Sequence, residues 1–158
     1  MTRPTAYIET TVIGHLVGRI LADPIVAGRQ VVTRQWWPTA KEKYRLFVSK
    51  VVADECASGD PEAADERLAA LESLEFIATS SAVDKLAHQL MEKHAVPKTE
   101  PRDAVHISLA AVNGLEYLVS WNFKHIVNPT TRAAIERICR DAGFVPPIIC
   151  TPDELMET

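Results

Sequence analysis

Short apolar runs alternate with longer stretches of helical period along the whole chain. Thr5-Ala6-Tyr7-Ile8, Leu46-Phe47-Val48-Ser49, Glu75 to Thr79, Tyr117-Leu118-Val119-Ser120 and Pro146 to Thr151 read as strands. The first helical pattern runs from Val12 to Leu21, capped by Thr10 or Thr11, with Asp23-Pro24 as the turn behind it. A second covers Ala27 to Lys43, where Pro38 is expected to break or kink it. A third follows the second strand and carries Asp54 and Glu55 in its early turns. Asp60 and Pro61 then open a helix over Ala63 to Leu74. Ser80 or Ser81 caps the next, which runs to about His94. Thr130 or Thr131 caps the last, from Arg132 to Asp141, before a final turn at Asp153-Glu154-Leu155. Strands alternating with helices predict an α/β fold in which a mostly parallel sheet is covered on both faces.

The most informative stretch is Thr99 to Ile126. Pro101 suits the first turn of a helix and Gly114 its end. Ala104, Val105, Ile107, Leu109, Ala110, Ala111 and Val112 leave few directions polar, so this helix is expected to be covered by other elements. Asp103, His106 and Asn113 are the exceptions, and their spacing puts them on one stripe. The strand that follows ends in Trp121-Asn122. Ligands of open α/β sheets bind outside the carboxyl ends of the strands.

A length of 158 residues with 47% hydrophobic content predicts one domain over residues 1–158. The net charge of -4 argues against indiscriminate binding to long nucleic acid and leaves room for one local basic face. The basic residues are densest between Arg29 and Lys43, including Arg34. Cys56, Cys139 and Cys150 have no CxxC spacing, which suggests neither a disulfide framework nor a zinc knuckle. A soluble protein of the reducing cytoplasm is expected, because no stretch resembles a signal peptide or a membrane span.

Three acids stand where strand ends or helix starts are predicted: Glu9, Glu55 and Asp103. Oxygen ligands clustered without cysteine suit Mg²⁺ or Mn²⁺ better than zinc. Such an ion lowers the pKa of a bound water and offsets charge on a phosphodiester. Taken singly, Glu55 or Asp103 is better explained as a capping residue or by a helix dipole, an interaction of about 0.3–1 kcal/mol, and His106 by a hydrogen-bonded place in the core. Trp36, Trp37 and Trp121 read as packing. The metal reading therefore rests on the joint order of the acids. Phosphate loops, dinucleotide fingerprints, HExxH and GxSxG elbows are all missing.

Three segments, AYIETTVIGHL, LFVSKVVADECASGDPEAADERL and RDAVHISLAAVNGLEYLVSWNFKHIVNP, resemble the PIN domain, in the subgroup related to VapC-type toxins of bacterial toxin-antitoxin pairs. The resemblance implies a three-layer α/β/α sandwich with a parallel sheet of about five strands. It also implies an acidic pocket that binds Mg²⁺ or Mn²⁺ and cleaves single-stranded RNA, a homodimer, and inhibition by an antitoxin protein. Matched position by position, the first acid falls on Glu9, the second on Glu55 and the third on Asp103. Asn122 stands where many members have a fourth acid. Glu9 is one methylene longer than the usual Asp, and Asn122 keeps an oxygen while removing a charge. Thr10, Thr11 and Asn128 fall where they can orient ligands or phosphate, and Arg34 where it can hold phosphate if its helix flanks the pocket. The implied function is a metal-dependent endoribonuclease, either a toxin or a solitary nuclease. The alternative is a weakly active or inactive PIN-like domain that binds RNA or protein.

Overall fold

A computed structural model describes residues 2–157. Five strands form one sheet: β1 (Thr5–Ile8), β2 (Arg45–Ser49), β3 (Glu75–Ile77), β4 (Tyr117–Val119) and β5 (Ile148–Cys150). Their order is β3-β2-β1-β4-β5, and every pairing is parallel. Parallel neighbours need crossover connections, and here each crossover contains at least one helix. Successive residues of β1, β2 and β4 are buried whichever way they point, as in a sheet covered on both faces. One core joins Tyr7 and Ile8 of β1 to Val48, Leu118 and the helix residues Ile13, Leu86, Ile107 and Ile135. From β1 the chain winds outward through β2 to β3, then returns to the other side of β1 to build β4 and β5. The order reverses between β1 and β4, and that crevice is where open α/β sheets accept ligands.

The helices depart from the expected bounds for identifiable reasons. Helix α1 spans Thr10–Leu16 and is capped by the Glu9 side chain, which accepts from Thr11 N, rather than by a threonine. It stops before Gly18, which takes a left-handed φ of 84°. Helix α2 spans Pro24–Lys43: Asp23 caps it through Ile25 N and Val26 N, so Asp23-Pro24 starts a helix instead of making a turn. Helical structure continues through Pro38, which lies exposed where the carbonyl it leaves without an N–H partner can meet water. Helix α3 is short, Lys50–Cys56, with Ser49 capping it. Glu55 is therefore in its last turn, not an early one. Helices α4 (Pro61–Leu71), α5 (Ser81–Glu92) and α6 (Pro101–Val112) follow. Helix α7 spans Pro129–Asp141 and is capped by Asn128, which displaces the expected Thr130 or Thr131. A 3₁₀ turn, Pro152–Leu155, is the last element among the described residues.

Candidate metal centre

Glu9 is the first residue beyond β1 and is only 3% exposed. A carboxylate so placed is costly unless hydrogen bonds compensate it. Its Oε1 accepts from Ser120 Oγ at 2.6 Å, from Thr11 N at 3.2 Å and from the Thr11 hydroxyl. Each hydroxyl is itself fixed by a backbone amide: Trp121 N donates to Thr11 Oγ1 and Asn122 N to Ser120 Oγ. Glu9 N donates to Val119 O at 3.1 Å, so the carboxyl ends of β1 and β4 are tied together at the switch point.

Glu55 arrives from the last turn of α3, where the helix dipole disfavours a negative charge. The dipole explanation of this acid is thereby removed. Its Oε1 accepts from Thr10 Oγ1 at 2.8 Å and pairs with His106 Nε2 at 2.6 Å. Partial burial opposes ionisation of Glu55. The hydrogen bond and charge of His106, the Thr10 hydroxyl and the charge of Arg102 outweigh it and hold the carboxyl below its ordinary range. Asp103 is the third residue of α6, and its Oδ2 pairs with His125 Nδ1 at 2.9 Å. His125 is positioned in turn by Asn122, whose Oδ1 accepts from His125 N at 3.0 Å.

These four side chains line one open cleft of about 370 Å³, with Thr10, Thr11 and His15 of α1 and Val26 and Gln30 of α2. Among the described residues the three carboxylates share a pattern. One oxygen of each is held by protein donors, and the other has no hydrogen-bond partner in the protein. Their only ion-pair partners among the described residues are histidines, His106 for Glu55 and His125 for Asp103. Ligand atoms of Glu9, Glu55 and His106 lie within 4.8 Å of one another, and so do those of Glu100, Asp103 and His125. Oriented carboxylate oxygens, no thiolate and a surplus of negative charge fit a hard divalent cation.

Several residues stand elsewhere than their motif positions suggested. Asn128 caps α7 and also donates to Lys124 O. Arg34 spends its guanidinium on the carbonyls of His15 and Gly18, pinning the connection between α1 and α2. Trp36 and Trp121 are buried, as packing residues should be, and Trp121 Nε1 donates to Thr33 Oγ1 at 2.8 Å. His106 is a core histidine that also grips Glu55. Ser120 and His125 also hold acids of the site, though no motif marks them. Both flank Asn122 in the segment that carries the resemblance, and only the fold shows which acid each one meets.

Fold and cleft together define a doubly wound α/β protein with its acids gathered at the switch point of a five-stranded parallel sheet. No family model matches the chain, and no curated protein matches it. Among solved structures it is similar to a chain of VapBC2 from Rickettsia felis, in a crystal structure of that complex bound to a DNA fragment from its promoter. The two are 16% identical with a TM-score of 0.59, over 93% of this chain and 98% of that one. The chain has the PIN-domain fold.

Proposed function

We propose that this protein is a divalent-metal-dependent endoribonuclease acting on single-stranded RNA, with Glu9, Glu55 and Asp103 as ligands of Mg²⁺ or Mn²⁺ and Asn122 beside them. The observation that carries the reading is the repeated carboxylate pattern. Three acids from three separate elements reach one cleft, each anchored through one oxygen and open at the other. An ion bound there would supply an activated water and offset charge on the phosphodiester. The protein's own part is to hold the carboxylates in place, to leave the cleft open to an extended strand, and to meet the acids with histidines rather than with lysine or arginine.

The likeness to a chain of the VapBC2 complex supports an antitoxin as partner, and dimerisation belongs to the same reading. The test is cleavage of single-stranded RNA by the purified chain with Mg²⁺ or Mn²⁺, against an EDTA control. Wild type is expected to cleave, and Asp103→Asn to lose activity along with divalent-ion binding. Cleavage that survives Asp103→Asn unchanged, or that persists in EDTA, contradicts the proposal.

One observation favours a second reading, a weakly active domain that binds RNA or protein. The Asn122 oxygen already accepts from His125 N, and the side chain brings no charge to the cleft. Calorimetry separates the two readings: Mn²⁺ binding accompanied by turnover supports the nuclease, and binding of RNA without turnover supports the alternative.

A further inference from the structure

His106 is fully buried, and both of its ring nitrogens are engaged. Nε2 meets Glu55 Oε1 at 2.6 Å, and because an ionised carboxylate only accepts, this nitrogen carries the proton. Nδ1 meets Tyr7 Oη at 2.7 Å. Tyr7 Oη lies 2.8 Å from Ser49 Oγ, which accepts from Val52 N. A polar chain thus runs from the start of α3, through the ends of β2 and β1, to the imidazole, and returns to α3 at Glu55. Tyr7 is itself fully buried, and its hydroxyl is the hydrogen-bonding link between Ser49 and the imidazole. His106 lies one helical turn from Asp103 on α6. One helix therefore sends Asp103 to the cleft and places His106 beneath a different acid.

We propose that His106 is a positioning residue for the metal centre. The Tyr7–Ser49 chain locks its ring, and its Nε2–H fixes Glu55 Oε1 so that the second oxygen faces the cleft. Glu55 needs such a device because it projects from the last turn of a short helix, where no N-terminal amides hold it. The inference rests on the metal-centre reading above and assigns to this chain a residue with no contact to the ion or to RNA.

The test uses two neutral, polar replacements that imitate opposite halves of the imidazole. In His106→Gln the amide nitrogen reaches the place of Nε2, keeping the donor to Glu55 and losing the link to Tyr7. In His106→Asn the amide sits at the place of Nδ1, keeping Tyr7 and losing Glu55. Mn²⁺ affinity by calorimetry is expected to stay close to wild type for His106→Gln and to fall by about 10–100-fold for His106→Asn, the usual effect of removing a partner behind a metal ligand. A purely structural histidine predicts no such order. Equal Mn²⁺ affinity in the two variants, or the reverse order, overturns the inference.

Crystal structures of wild type and His106→Asn without metal give a reading independent of the ion. The Glu55 side chain is expected to leave its wild-type position in the variant, and an unmoved Glu55 overturns the inference. If neither variant folds, Tyr7→Phe is the substitute. It removes the hydroxyl that locks the ring, and is expected to weaken Mn²⁺ binding without touching a ligand; unchanged binding counts against the proposal. Absence of Mn²⁺ binding in folded wild type, with Glu55 displaced in His106→Asn, overturns the metal reading and leaves the positioning role standing.

Discussion

At the scale of single residues the cleft is a problem in keeping acids charged out of full contact with water. Glu9 is the most buried of the three, and Ser120 is one of its two hydroxyl donors. Ser120→Ala removes a hydrogen bond to a charge and strands the Asn122 amide that Ser120 accepts. A loss of about 1.5–3 kcal/mol is expected in urea unfolding without metal. A change within error contradicts this account of Glu9. Glu55 carries a signature in pH. Its folded pKa lies below the ordinary value, so the stability it contributes is complete above about pH 4.3 and is lost as pH falls through the folded value. The stability difference between wild type and Glu55→Gln should therefore hold steady from neutral pH down to about pH 4.3 and shrink below it. A difference that does not vary with pH would show that Glu55 is no better held in the folded chain than in the unfolded one.

At the scale of elements, caps decide where helices begin and therefore what they present. Asp23 accepts from two amides at the start of α2, the helix whose Val26 and Gln30 line the cleft. Asp23→Ala is expected to cost about 1 kcal/mol in thermal or urea unfolding, with Mn²⁺ affinity unchanged because no ligand moves. The same element shows how far local signals reach. Pro38 argues for a break in any isolated helix, yet α2 continues through it. The packing of Trp36 and Ala40 on either side of Pro38 outweighs the lost hydrogen bond, because tertiary burial routinely overrides propensity. The cap of α1 falls on Glu9 rather than on a threonine for a related reason. Threonine and glutamate both carry an acceptor, and the choice between them depends on Ser120 and Trp121, more than 100 residues away.

At the scale of the whole molecule, the core encloses all three cysteines. Burial pushes the thiols of Cys56 and Cys139 up to about 11 and that of Cys150 up to about 12. At neutral pH they carry no appreciable thiolate, the reactive form. A thiol reagent such as DTNB is expected to label none of them in the native protein and all three in urea. Fast labelling of the native protein would mean that the core opens locally. Among the described residues no helix is long and apolar enough to cross a membrane.

What the sequence determined by itself is the alternation of strands and helices, the covered helix over Pro101–Val112, and the acids at its start and at the end of β1. These follow from local period, caps and apolar runs, which neighbouring residues carry among themselves. The strand order, the crevice between β1 and β4, and the meeting of Glu9, Glu55 and Asp103 in one cleft required the tertiary structure. The same holds for the partners that keep those carboxylates in place. Ser120, His106 and His125 lie 111, 51 and 22 residues from the acids they hold. A side chain's hydrogen bonds depend on which elements the fold brings together, and no local pattern records that.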